Sequence, residues 1–323
     1  MIASVAFRNF KALRDASLRL AAFNLVLGPT GSGKTSLIDA LLRLRTAAGA
    51  APGNGPPPAH GRMPEINFQF APPHDAITAR LAGHALQVEP ADAPGWPALR
   101  AAITRIRAFA FDAAAMAAPA PAAAGGELAP DGSNLAAVLA ALRDHAPEAF
   151  GALDAEFRRI FPEYRALDVQ PEPGASLTVA LRLAAEDTTV AGADLSQGTL
   201  HVLAVLALAF SPAPPSVVCL EEADRGVHPR TLREVRDALY RLSHPAAFGL
   251  ARPPVQVIAT THSPYLLDLF RDHPDEVVLT HKRGAAAHFE RLADRADLPE
   301  LLQEGPLGDL WFSGILGGVP ETE

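Results

Sequence analysis

"GPTGSGKTSL", residues 28–37, is the stretch from which the architecture of this chain is read. From Gly28 to Thr35 it matches G-x-x-x-x-G-K-[ST]. It follows an apolar run, "NLVL" at 24–27, that reads as a strand, and it opens a helix predicted from about Gly33 to Arg45. Strand, glycine-rich loop and helix together give the spacing its meaning. The glycines let backbone N–H groups point inward at phosphate oxygens, beside the positive end of the helix. Gly28, Pro29, Thr30, Gly31, Ser32, Gly33, Lys34, Thr35 and Ser36 are therefore the candidate cradle for a nucleotide. Lys34 is placed to reach the β- and γ-phosphates, and the Thr35 hydroxyl to ligate Mg²⁺.

The rest of the chain is consistent with such a domain. Its 323 residues are 49% apolar, enough for one large α/β domain with an inserted lobe. The 28 basic and 36 acidic residues give a net charge of −8. That balance argues against a surface coated for nucleic acid, though not against a local basic patch. Cys219 is the single cysteine, so no internal disulfide is possible and a reducing compartment is expected. The longest apolar run, 202–210, is too short to span a bilayer, and the N-terminus lacks the apolar segment of a secretion signal. A cytoplasmic protein without a membrane partner is the expectation.

Strands are expected at 2–10, 16–23 and 24–28, then at 65–70, 76–89 and 103–111. The Pro/Gly-rich stretch 46–64 and the Ala-rich stretch 112–132 read as loop and linker. Helices are expected at 134–145 and 147–160. Further on come a strand at 175–185, a helix at 198–210, a strand at 216–221, a helix at 229–242, a strand at 255–260 and a helix at 263–270. Strands alternating with helices predict a mostly parallel sheet covered on both faces. The expected organisation is a single head whose nucleotide-binding lobe comprises 1–111 and 176–323, with a linker and helical lobe inserted at 112–175.

Two further segments look chemical. "SVVCLEEADRGVHP" runs a buried strand into paired acids, Glu221 and Glu222. Beside a phosphate loop, that is where a metal and an attacking water are managed. Glu221 is the candidate metal ligand and Glu222 the candidate general base. "VQVIATTHSP" sets His262 at the C-terminal end of another apolar strand, the edge at which open α/β sheets bind ligands. It is the candidate group for hydrogen-bonding the γ-phosphate. A third stretch, "DLSQGTLHVLAVLALAF" at 194–210, adds a second Ser/Gly loop in front of an apolar helix.

In this order the phosphate loop, the LSQGT loop, the tandem acids and TTHSP resemble the ATPase head of the ABC superfamily. More narrowly, they are similar to the RecF/SMC-like heads found in OLD-family proteins and bacterial predicted ATPases. "FRNFKALRD", with Asn9 and Lys11, "DGSNLAAVL" at 131–139 and "LGDLWFSGILGG" at 307–318 are similar to the same group. The resemblance implies an α/β P-loop NTPase fold with a mixed sheet, helices on both faces and an inserted helical lobe. It implies ATP and Mg²⁺ as cofactors, with Asn9 and Lys11 near the nucleotide. It also implies a head-to-tail homodimer, in which Ser196, Gln197 and Gly198 of one chain cap the ATP held by the other.

Several positions depart from that pattern. Glu221-Glu222 stands where Asp-Glu is usual, and "EEADRGVHP" where the subgroup commonly has "EEPENGLHP". His228 holds the usual position of the D-loop aspartate. Arg225 sits inside the same turn, as a surface arginine or as a group reaching the opposing nucleotide. Gln69 in "INFQF" is the candidate Q-loop metal ligand. No tryptophan or tyrosine is placed to stack on adenine. With no nuclease, membrane or coiled-coil segment recognised, the expected role is an ATP-hydrolysing switch for DNA or a separate effector protein, in DNA repair or antiphage defence. The candidate docking surfaces are 46–64, 112–132 and the tail around Trp311, or a DNA patch at Arg100, Arg105 and Arg107. The alternatives are a non-hydrolysing ATP sensor and, less favoured, a transporter's ATP-binding subunit.

Overall fold

A computed structural model describes residues 1–50, 63–284 and 286–317. The described chain forms two compact units. One comprises Met1–Ala108, Pro215–Glu221 and Ala251–Glu323; the other comprises Phe109–Pro214 and Glu222–Leu250.

The first unit opens with strands β1 (Ile2–Phe10), β2 (Leu13–Arg19) and β3 (Phe23–Leu27), then helix α1 (Lys34–Gly49). β4 (Glu65–Phe70), β5 (Thr78–Ala82), β6 (Ala85–Glu89), α2 (Trp96–Ile103) and β7 (Ile106–Phe109) follow. One sheet has the order β2-β1-β4-β5-β6, and each neighbouring pair is antiparallel. β4 shows the burial period of two expected where one face packs on a core.

Strands from late in the chain build the other sheet. The order is β15-β14-β3-β13-β12-β7, with β12 (Val217–Leu220), β13 (Gln256–Thr261), β14 (Val277–Arg283) and β15 (Ala286–Arg291). The pairs β12–β13, β13–β3 and β3–β14 are parallel, and β14–β15 is antiparallel. β3, β12 and β13 are buried at every residue, the mark of central parallel strands covered on both sides. Their buried polar positions are satisfied. Gln256 exchanges hydrogen bonds with the backbone of Ile2 and also donates to the Ala21 carbonyl, while Asn24 donates to the carbonyls of Ala21 and Val257. One apolar cluster joins Leu37, Leu41 and Leu44 of α1 to Phe7 and Phe68 of the first sheet and to Val26 and Ile258 of the second. The unit ends in α8 (Pro264–Asp268), α9 (Leu298–Glu304) and α10 (Leu307–Phe312).

The second unit contains α3 (Ala113–Ala117), β8 (Ala120–Pro121), α4 (Leu135–His145) and α5 (Pro147–Ile160). β9 (Tyr164–Glu172), β10 (Ser176–Leu183), β11 (Thr189–Ala191), α6 (Gln197–Ala209) and α7 (Leu232–Ser243) complete it. β10 pairs antiparallel with β8, β9 and β11. α6 is buried from Gly198 to Ala209, as a helix apolar on all sides must be.

Several expectations are corrected. The single strand expected at 76–89 is a hairpin, β5 and β6, turning at Gly83, whose φ of +62° suits glycine. Within 103–111 the strand is only Ile106–Phe109, because α2 runs to Ile103. The stretch 112–132 carries α3, where the Asp112 side chain caps the helix by accepting from the Ala115 N–H at 2.8 Å. Asn134 organises the loop before α4 by accepting from Ala129 N–H and donating to the carbonyls of Ala124 and Glu127. Residues 46–49 of the stretch 46–64 belong to α1, and 51–62 lie outside the described residues. Trp311 is buried at 6% exposure, whereas Phe312 is 82% exposed. Arg100 donates to the carbonyls of Ala48 and Ala50, and Arg107 to those of Thr104 and Ile106, which leaves the expectation of a DNA patch untested.

Candidate functional site

The parallel strands bring three segments to one edge of the second sheet. Leu27 pairs with Thr261, and Leu220 with Ala259, so the phosphate loop, Glu221 and His262 all leave the sheet at its C-terminal edge. α1 starts at Lys34 behind Gly33, which has φ +104° and supplies no side-chain cap. No acidic residue lies in the first turn. An uncapped helix start is a seat for an anion.

Lys34, 8% exposed, folds its ammonium onto the loop and donates to the carbonyls of Gly28 at 2.6 Å and Pro29 at 3.0 Å. The Thr35 hydroxyl donates to Glu221 Oε2 at 3.2 Å. A hydroxyl and a carboxylate in contact beside a phosphate cradle match the oxygen donors magnesium takes along with phosphate and water. Among the described residues no group of three or more His, Cys, Asp and Glu gathers, so the metal reading rests on this pair. Gln69 lies apart from it. On β4 of the first sheet it pairs with Ser4, whose hydroxyl donates to its carbonyl at 2.7 Å. Burial pushes the Cys219 thiol, two residues before Glu221, up to about 12, so it stays protonated and inert.

The turn Asn9-Phe10-Lys11 has φ of +52° at Asn9 and at Lys11, and Lys11 pairs with Asp39 of α1 at 3.2 Å. Burial pushes the Asp39 carboxyl up, but Arg43 and Lys11 outweigh it and hold it below its ordinary value. His262 is exposed at the end of β13, and Ser263 behind it caps α8 by accepting from the Leu266 N–H. Thr280 of β14 stands in no recognisable motif. Its buried hydroxyl bonds the Ser32 hydroxyl and donates to the Leu27 carbonyl at 3.2 Å. A Cβ on Gly28 would sit 2.7 Å from the Thr280 carbonyl oxygen, so this glycine is required by close approach.

The remaining candidates belong to the second unit. Ser196 caps α6 by accepting from the Thr199 N–H at 3.1 Å, leaving Ser196 and Gln197 exposed and Gly198 buried. Glu222 adopts φ +50°, unusual for a residue with a side chain, and its carboxylate pairs with Arg225 at 3.0 Å. Arg225 also donates to the Phe111 carbonyl at 3.3 Å. His228 accepts from the Arg230 N–H at 3.2 Å.

His201 of α6 was not among the sequence candidates. It is 1% exposed, and its Nε2 lies 3.1 Å from the Ala223 carbonyl oxygen. A carbonyl only accepts, so the neutral ring carries its proton on Nε2. Burial, aided by the nearby Arg225 charge and opposed by the Ala223 bond, lowers its pKa to about 4. The unfolded chain takes up this proton below about 6.5, whereas the folded chain does not until about 4. Stability attributable to this residue is therefore complete above pH 6.5 and falls as the pH drops toward 4, by about 1.4 kcal/mol per unit. Denaturant unfolding at pH 7 and pH 5 should show His201→Leu losing about 2 kcal/mol less than the parent. Equal losses in the two proteins would contradict the assignment.

A family model described as "AAA domain, putative AbiEii toxin, Type IV TA system" matches residues 87–268, more than half of the chain. That span includes the LSQGT loop, the tandem acids and His262, and begins beyond the phosphate loop. No curated protein matches the sequence. Among solved structures, the chain is similar to an SMC head bound to the C-winged helix domain of ScpA, with TM-score 0.60 and 14% identity, covering 90% of this chain and 96% of that one. The SMC head domain from Thermotoga maritima gives 0.50 and 13%, covering 90% and 98%. The Smc head with an extended coiled coil, bound to the C-terminal domain of ScpA and derived from Pyrococcus furiosus, gives 0.55 and 14%, covering 94% and 99%. The fold is that of an SMC head domain. Among the described residues no helix is long and apolar enough to cross a membrane.

Proposed function

The chain belongs to the family described as "AAA domain, putative AbiEii toxin, Type IV TA system", and from that premise we propose that it binds and hydrolyses ATP with Mg²⁺ as a nucleotide-dependent dimeric switch. The observation that carries this reading is the meeting of Thr35 and Glu221 beside Lys34 and the uncapped start of α1. The α1 N-terminus and the loop amides receive the phosphates, Lys34 exchanges its two loop carbonyls for phosphate oxygens, and Thr35 with Glu221 holds the metal. Glu222, the next residue, accepts the proton of the attacking water. His262, at the same sheet edge as the loop, hydrogen-bonds the γ-phosphate. Ser196, Gln197 and Gly198 serve the nucleotide of a second copy, since a helix start adds positive potential wherever it docks. The homodimer in turn acts on a separate effector protein or on DNA, in repair or antiphage defence. Two of the similar SMC heads are bound to ScpA fragments, which supports a protein effector over DNA here. Phosphate release by the purified chain tests the reading. Activity that depends on magnesium and is lost in Lys34→Ala supports it; a chain that binds ATP but releases no phosphate favours the non-hydrolysing sensor.

A further inference from the structure

Resting on the reading of Glu222 as the base, we infer that His201 is a positioning residue for it, making the LSQGT loop and the base turn one mechanical piece. The turn from Glu222 to Val227 is closed by Arg225 N–H on the Glu222 carbonyl at 2.8 Å and Val227 N–H on the Asp224 carbonyl at 3.1 Å. These bonds lie within the turn and leave its orientation open. Two contacts from α6 fix that orientation. The first is the close approach of backbones at the helix start. A Cβ on Gly198 would run into the Gly226 carbonyl, and one on Gly226 would lie 2.6 Å from Gln197 Cγ.

The second contact is His201, five residues beyond Ser196, which donates from Nε2 to the carbonyl of Ala223, the residue after Glu222. The imidazole stands edge-on to Phe111, with centroids 5.5 Å apart and planes at 81°. The Phe111 carbonyl accepts from Arg225, which pairs with Glu222. His201 thus grips the peptide just past a residue held at φ +50°, a conformation that persists only where its surroundings impose it. A buried histidine that merely filled space would need no donor aimed at this carbonyl. Because Ser196 caps the same helix, whatever docks on the loop pushes on the base through a few buried contacts.

The test compares His201→Leu, which removes the donor, with His201→Gln, which retains one. Misplacing a catalytic group by about 1 Å costs roughly 10²-fold, so His201→Leu should lower kcat by about that factor. KM and ATP affinity should stay at the parent values, and His201→Gln should recover most of the rate. In a Glu222→Gln background, His201→Leu should cost nothing further, since both act through one group. Hydrogen exchange over 222–228 should quicken in His201→Leu and not in His201→Gln, with exchange in the phosphate loop unchanged. Parent kcat in His201→Leu, equal loss in both variants, additivity with Glu222→Gln, or unchanged exchange over 222–228 would overturn the assignment. If the parent chain hydrolyses no ATP, the function proposed above fails, and the exchange measurement still decides whether His201 holds the turn.

Discussion

Glu222→Gln is expected to cut ATP turnover by about 10²- to 10⁴-fold while leaving nucleotide binding in place, the usual cost of losing a general base. Glutamine has the size of glutamate but cannot take the water's proton. The substitution also dissolves the ion pair with Arg225 at 3.0 Å without emptying the space the side chain fills. That pair is exposed on both sides, so its loss costs little stability and the rate effect can be read cleanly. Glu221→Gln differs in kind, because Glu221 accepts from Thr35 at the proposed metal position and its loss should raise the magnesium needed for half-maximal rate. Pre-steady-state phosphate release across a magnesium series separates the two. A Glu222→Gln rate within a few-fold of the parent would remove Glu222 from the chemistry.

The second large effect is expected in Lys34→Ala. Charge-assisted hydrogen bonds contribute about 1.5–3 kcal/mol each, so losing the ammonium should weaken ATP by about 10- to 100-fold. The loss has two sources. The ammonium no longer meets phosphate, and the carbonyls of Gly28 and Pro29 lose the partner that gathers them. Titration with a fluorescent ATP analogue at constant magnesium reads the affinity directly, with thermal unfolding as the control for folding. An unchanged affinity would mean that phosphate is not received here.

The parts of this architecture legible in the sequence are those whose determinants are local. The phosphate loop announces itself because loop, strand and helix signals are contiguous. β3, β12 and β13 were readable because central parallel strands are continuous apolar runs, and β4 because it alternates cleanly. Elements whose stability comes from distant partners were not. β14 is held by β3, some 250 residues earlier, and its Thr280 reaches Ser32 across the same separation. β9 is fixed by β10, while its own run, "YRALDVQPE", carries a proline and no sustained alternation. His201 was hidden for the opposite reason. In a helix buried all round there is no polar face against which a functional polar side chain stands out. Gln69 shows the limit of matching by residue type, since its carbonyl is committed to Ser4 on the other sheet.

Two chains are proposed to share each nucleotide, and the mass of Glu222→Gln in solution decides whether they do. Light scattering should give the mass of one chain without nucleotide and of two chains with ATP and magnesium, because slow turnover preserves the assembled state. Adding Ser196→Arg, which puts bulk and charge at the exposed start of α6, should return the mass to one chain while ATP still binds. The same mass for Glu222→Gln with and without ATP would contradict the account.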